Sequence, residues 1–452
     1  MDKKKLKTTF VAAIGTVMMT LCACEPKQPT AEKSFELPAV DDIVMYQVNP
    51  RVFAPDHSLN AVAQRIDSIS ALGVNVMWVM PIYPIGHEKG KNSPYCISNY
   101  TAVAPEFGTI DDFRHLVDVC HAHGMGIILD WVANHTAWDH PWVKAHPDWY
   151  NHDAEADTII HPRPFDWLDV ADLNYDNDSL RQAMADAMLF WVKEVGIDGF
   201  RCDVADEVPA DFWQMAIGKL REAAAPRRIV MLAEGNKRET FTVGGFDMNY
   251  SWDFKDSLLH VFQAGAPASH LIDADRLEYD SLPAGKVKLR FTTNHDESVG
   301  GTPVGRFGGL RGSMAAYVAT VFLHGGALIY SSQEVGYPSP INFFGYVPVD
   351  WRANPDIYKE YKRLIANYNK YDTLRKGSMT PYPADNVLAF EKSDNDDSFL
   401  ILVNVRNEPV EAAIPATWKG QEVEDEMTDE DVLLGETLPL APYEYRIFAL
   451  DD

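Results

Sequence analysis

The chain has 452 residues, 46% of them hydrophobic and 23% charged, with 28 Gly and 28 Pro spread along its length. This is a globular composition, too long for one ordinary core, and it excludes low-complexity and collagen-like chains. A net charge of −26, concentrated in part between Gln421 and Asp431, repels phosphate backbones and excludes nucleic acid as a partner.

In chain order, the first element reads as a targeting segment. Lys3, Lys4, Lys5 and Lys7 form a positive n-region, and Phe10 to Leu21 form an apolar stretch shorter than the ~20 residues that cross a bilayer. Leu21-Cys22-Ala23-Cys24 resembles a bacterial lipobox. Residues 1–24 are thus expected to be a lipoprotein signal peptide with Cys24 as the lipid site, and 25–38 a tether. The protein would be exported and held at a periplasmic or cell-surface membrane face by lipid alone. Cys96, Cys120 and Cys202 remain, an odd and widely spaced set from which neither a disulfide framework nor a metal cluster is expected.

Short runs rich in Val, Ile and aromatics follow, alternating with helical-period stretches, the pattern of repeated βα units and a parallel sheet. Eight runs are visible: Ile43–Val48, Val74–Met80, Gly126–Asp130, Gly199–Asp203, Ile229–Glu234, Phe246–Tyr250, Val287–Thr293 and Ala327–Ser331. Helices are predicted over Leu59–Leu72, Asp111–His123, Ser179–Val195, Asp211–Ala223, Met314–Leu323 and Ile357–Tyr371. Gly and Pro interrupt the pattern after the sixth and seventh runs. Residues 39–375 are therefore read as an α/β protein, a (β/α)8 TIM barrel.

Between Asn134 and Ser179 the connection far exceeds the usual ~2–6 residues, so a small inserted domain is expected over about 135–175. It carries Trp138, Trp142, Trp149 and Trp167 and would wall part of a cleft. Residues 376–452 change to short alternating strands, read as a C-terminal antiparallel β-sandwich domain.

Polar clusters fall at the ends of four runs: Asp130-Trp-Val-Ala-Asn134-His135, Gly199-Phe-Arg201-Cys-Asp203, Ala233-Glu234 and Asn294-His295-Asp296. In a closed barrel such ends converge on one face. Arg201 and Asp203 share the inward face of a strand, where the cation would keep the carboxylate ionised as a nucleophile requires, although a structural ion pair has the same pattern. Glu234 ends an apolar run, a low-dielectric rim that would raise its pKa and suit it to protonate a departing oxygen. His135 and His295 beside acidic groups suit gripping the hydroxyls of a sugar ring. Glycoside cleavage needs two carboxylates, ~5–5.5 Å apart in its retaining form, and three acids on adjoining strands could meet that demand.

Taken together, Asp130 to His135, Gly199 to Asp203, Leu232 to Glu234 and Phe291 to Asp296 resemble, in order, the four signature regions of the α-amylase superfamily of glycoside hydrolases (family 13 type). Met45-Tyr-Gln-Val, Asp172-Leu-Asn-Tyr and Ile329 to Glu334 extend the likeness over most of the chain. The resemblance implies a retaining hydrolase of α-glucosidic bonds in starch-derived oligo- or polysaccharides. In that reading Asp203 is the nucleophile that forms a covalent glycosyl-enzyme, Glu234 the general acid/base, and Asp296 the stabiliser of the distorted ring. Arg201, His135 and His295 would contact the same glucose, Tyr95 would stack beneath it, and Asp130 would orient Arg201.

Two alternatives stay open, a glucan transglycosylase of the same fold and a non-catalytic carbohydrate-binding or assembly protein. No cofactor is implied for the chemistry. A structural calcium is left open, because Asn134 and Asp172 match side-chain ligands of some members while the position of Glu207 offers a backbone carbonyl. Asp206 and Glu207 depart from the Lys-His pair that many α-amylases carry there, which removes acceptor-side contacts.

Overall fold

A computed structural model describes residues 35–450. The expected signal peptide, Cys24 and all but the end of the tether lie outside the described residues.

Each of the eight apolar runs overlaps one strand: β1 (Val44–Val48), β2 (Val76–Val79), β3 (Gly126–Val132), β4 (Gly199–Asp203), β5 (Val230–Ala233), β6 (Met248–Tyr250), β7 (Val287–Arg290) and β8 (Gly326–Tyr330). They pair in parallel, each with its sequence neighbour, and β8 closes on β1, so the expected barrel forms. Every residue of β1 to β8 is buried, because side chains of one parity fill the barrel while those of the other pack beneath helices.

The predicted helices appear as α1 (Ile110–Ala122), α2 (Asp178–Phe190), α3 (Ala210–Ala224), α6 (Gly309–Val321) and α7 (Pro355–Lys370). Between them, α4 (Trp252–Gln263) and α5 (Ser269–Tyr279) form a packed pair in the region where Gly and Pro obscured the pattern. The stretch Leu59–Leu72 is not one helix. It breaks at Arg65 into Ser58–Ala63 and Ile66–Ser70, which leaves Val62 and Ile66 buried while the Arg65 guanidinium lies 4.5 Å from the Trp351 ring. Helix α1 begins with a capping box, in which Thr109 and Asp112 satisfy each other's backbone N–H. Helix α6 is buried on all sides from Gly312 to Val321, as befits an element between the barrel and the C-terminal sheet.

After β3 the inserted segment opens with an antiparallel ribbon, His135–Ala137 against Val170–Asp172, which brackets the helix Pro141–Ala145. The C-terminal region contains β9 (Ser378–Pro381), β10 (Val387–Ser393), β11 (Ser398–Asn404), β12 (Val410–Ala413), β13 (Glu422–Asp425), β14 (Glu430–Leu433), β15 (Thr437–Leu440) and β16 (Tyr445–Leu450). A six-stranded sheet runs β9-β10-β11-β16-β13-β14, and β12 pairs with β15. Leu400, Leu402, Trp418 and Phe448 lie in the core of this unit. Three of these strands, β9, β13 and β14, escape the alternation pattern. The acidic run from Gln421 supplies the β13–β14 hairpin, in which Glu430 and Asp431 of β14 are exposed at the sheet edge while Asp425 of β13 is buried against Arg446.

Candidate active site

The floor of the site is built by adjacent strand ends. Asp130 of β3 pairs in register with Arg201 of β4, and Arg201 with Leu232 of β5. Gly199, at φ +140°, starts β4 against β5 so closely that a Cβ there would lie 1.8 Å from the Val230 carbonyl oxygen. Only glycine fits.

Arg201 is fully buried and gathers three carboxylates. Its Nη1 donates to Asp130 Oδ1 at 2.7 Å and to Asp203 Oδ1 at 3.0 Å. Its Nη2 forms an ion pair with Glu234 Oε2 at 2.8 Å without the alignment of a hydrogen bond. The Oε2 atom takes its aligned bond from the Val204 N–H at 2.7 Å. Val204, a β-branched residue, holds a left-handed backbone (φ +35°) costing about 1–3 kcal/mol, and in that conformation its N–H meets the Glu234 carboxylate. The apolar setting expected for Glu234 is thus replaced by a cation and an amide donor.

Arg201 does not serve Asp203 alone. One guanidinium is divided among three carboxylates, so burial and the Glu234 charge push the Asp203 carboxyl well above its ordinary range. Burial likewise lifts Asp130 to about 6 against the pull of Arg201. Asp296 is shifted up by desolvation, less firmly, since its side chain is 45% exposed in the cavity. Carboxylates this close titrate as a group, and the group retains a proton into a higher pH range than isolated acids do.

Above the floor lies a cavity of about 410 Å³. Asp203, Glu234, Asp296, Tyr95, His135 and His295 line it, so six of the seven residues expected to catalyse or touch sugar meet in one space. Arg201 is the exception. It lies beneath the cavity and positions carboxylates instead of meeting a ligand. Asp130, as expected, binds Arg201, and its Oδ2 also accepts from Trp78 Nε1 (3.0 Å) and Tyr95 Oη (3.1 Å).

Burial keeps both histidines neutral at pH 7, with His135 pushed down to about 4 and His295 well below its ordinary value. Gln47 Nε2 donates to His295 Nδ1 at 2.8 Å, which leaves the ring proton on Nε2, facing Tyr95 Oη at 2.6 Å. Sequence reasoning passed over Gln47, although an amide inside the first apolar strand was a signal. It also passed over Lys91, Asp169, Phe343 and Phe344, which line the cavity from loops without periodicity. Of the four tryptophans in the insertion, Trp167 reaches the cavity, with its ring 5.7 Å from His135. Trp149 is buried within the insertion.

The residues matched to calcium ligands have protein partners in this structure. Asn134 presents its amide nitrogen to His135, and Asp172 Oδ2 accepts from Asn151. The Lys237 ammonium lies 3.7 Å from Glu207. No group of three or more His, Cys, Asp or Glu residues suited to a metal occurs among the described residues. Cys96, Cys120 and Cys202 are buried free thiols.

Residues 47–380 match the family model for the α-amylase catalytic domain, and residues 379–447 that for the maltogenic amylase C-terminal domain. The chain is 25% identical to the α-amylase MalA of Haloarcula japonica over 87% of its own length and 60% of that protein's. It is also 25% identical to a cyclomaltodextrinase of Geobacillus thermopakistaniensis, over 87% of this chain and 70% of that one. It thus spans somewhat under two thirds of the first of these relatives. Among solved structures, the maltogenic α-amylase AmyB of Thermotoga neapolitana superposes with a TM-score of 0.83 at 24% identity, covering 92% of this chain and all of that one. An α-amylase of Lactobacillus plantarum gives 0.81 at 23% identity, covering 91% and 99%. These two likenesses concern the fold, whereas the family match runs through β1 to β8 and every carboxylate of the site: the chain belongs to the α-amylase catalytic-domain family.

Proposed function

We propose that this protein is a retaining hydrolase of α-glucosidic bonds in starch-derived oligo- or polysaccharides. The observation that carries the reading is the pair Asp203 and Glu234, held on the two terminal nitrogens of one buried guanidinium at the floor of an open cavity. That arrangement suits the close carboxylate pair, ~5–5.5 Å, of a retaining reaction. Ionised Asp203 attacks the anomeric carbon of the bound ring, while Glu234 gives its proton to the glycosidic oxygen as that bond breaks. Glu234 then takes a proton from water, whose oxygen displaces Asp203 from the anomeric carbon. Asp296 accepts hydrogen bonds from ring hydroxyls, neutral His135 and His295 lie beside the same ring, and Tyr95 stacks on it. The names of relatives, an α-amylase and cyclomaltodextrinases among them, support α-linked glucose as the substrate.

Asp203→Asn tests the assignment. Release of reducing sugar from maltoheptaose should fall by about 10⁴-fold with the melting temperature nearly unchanged, and an undiminished rate would reject it. Added glucose acceptor in the same assay separates hydrolysis from sugar transfer. We further propose export as a lipoprotein, on the strength of the lysine-rich start, the apolar stretch and Leu21 to Cys24. Cys24→Ser should abolish labelling by a fatty-acid tracer, and persistent labelling would place the lipid elsewhere.

A further inference from the structure

The rim of the cavity is not uniform. Arg51, 4% exposed and just past β1, donates through Nη1 to the carbonyl oxygens of Asn92 (2.8 Å) and Phe343 (2.7 Å), and is itself fixed by Glu106. Asn92, in the loop after β2, donates its side-chain amide to the Phe344 carbonyl in the loop after β8. Ile341 of that loop donates its N–H to the Ser298 carbonyl at 2.9 Å, which joins it to the segment after β7. Lys91 reaches Asp169 of the insertion at 3.6 Å, and the Cys96 thiol lies 3.3 Å from the Asp169 carbonyl. Gly86, in the same loop, packs so tightly on the insertion that a Cβ would lie 2.3 Å from that of Ala137. A continuous wall therefore runs from the loop after β7, through those after β8 and β2, to the insertion.

Glu234 stands across from this wall. It follows β5, and in a ring of eight strands β5 faces β1, the strand that delivers Arg51. Beyond the ends of β4 and β5, on the Glu234 side, the chain is more open to water, with the Lys237 side chain 55% and the Glu207 side chain 38% exposed. The general acid must stand beside the bond that breaks, so the leaving part of the substrate lies on the Glu234 side. The retained part, which carries the non-reducing end, points at the wall.

Building on the hydrolase reading above, we infer that the enzyme works from the non-reducing end of a glucan chain, with the tied loops after β2 and β8 blocking any longer glycone. A cavity of about 410 Å³ is near the lower end for small-molecule sites, consistent with a short retained piece. A long chain would exit past Val204 and Glu234. Internal cleavage would require it to pass through Asn92, Phe343 and Phe344.

The test compares p-nitrophenyl maltoheptaoside with the same compound carrying a 4,6-O-ethylidene block on its non-reducing end. The blocked substrate should be hydrolysed at least about 10-fold more slowly, and the first products from the free one should be glucose or maltose taken from the non-reducing end. In Lys91→Ala/Asn92→Gly, with the wall opened, the ratio of blocked to free rates should rise at least about threefold. Equal rates on both substrates, with products of many lengths from the outset, would overturn the inference. An unchanged ratio in the double variant would free these loops of the role. Failure to cleave either substrate would instead reject the hydrolase reading itself.

Discussion

Replacing Asp130 by Asn isolates the electrostatics of the site, because Asp130 lies under the cavity and meets no substrate. Its Oδ1 and that of Asp203 bind the same Arg201 nitrogen at 2.7 and 3.0 Å, so the two oxygens are at most about 6 Å apart. At an effective dielectric constant near 20, unit charges at that spacing repel by ~3 kcal/mol, or ~2 pKa units. Asp130, lifted to about 6, is only partly charged around that pH, so about one unit of that should be expressed. The sign follows from the role. Asp203 works ionised and its pKa is raised, so activity is lost as pH falls through that value, and removal of a neighbouring negative charge lowers it. The acid limb of kcat/KM against pH, measured with p-nitrophenyl maltoside between about pH 4 and 8, should therefore shift by about one unit to lower pH in the variant. Thermal unfolding run alongside controls for fold. An acid limb that stays in place, or moves to higher pH, in a variant that still melts cooperatively would refute the picture of one cation divided among several acids.

Three further outcomes are expected. Tyr95→Phe keeps the ring but deletes the hydroxyl between His295 and Asp130, so kcat should drop about 10-fold (~1.4 kcal/mol) with little change in KM, and a change confined to KM would count against it. Incubation with EDTA should leave rate and melting temperature unchanged, since Asn134 and Asp172 are committed to protein partners; a fall in either would restore the calcium. Lys392, buried and pushed down to about 8, is charged in the folded protein below that pH at a cost that disappears as it deprotonates, while the unfolded chain stays protonated to about 10.4. Urea titrations of wild type and Lys392→Met should thus show the wild type gaining stability relative to the variant between pH 7 and 9, and a constant gap would argue against the shift.

Strand positions were legible because burial on both faces forces continuous apolar runs, and the polar residues that end them, such as Asp203 and Glu234, therefore stood out. The three acids and two histidines could be brought to one cavity by barrel closure alone, whereas Tyr95 was legible only through the family resemblance. What composition could not convey was depth: Arg201 and Asp203 have the same period on β4, yet two residues of rise put one below the floor and the other at it. The surroundings of Asp203 were legible only in part for a related reason, since the sequence pairs it with one arginine while the fold adds Asp130 and Glu234 to the same cation. Phe343, Phe344 and Lys91 were illegible because loops are shaped by distant partners, here Arg51 and Asp169. Helices α4 and α5 were hidden by the glycines and prolines around them.

The six-stranded sheet leaves two strands with an unpaired edge, and such edges recruit other chains. One border, β9, ends in Pro381, which has no amide hydrogen to offer an incoming strand. At the other, β14 sets Glu430 and Asp431 in the open, so a second copy sliding alongside would bring acid against acid. The exposed acids of β14 thereby disfavour strand-to-strand pairing at that border.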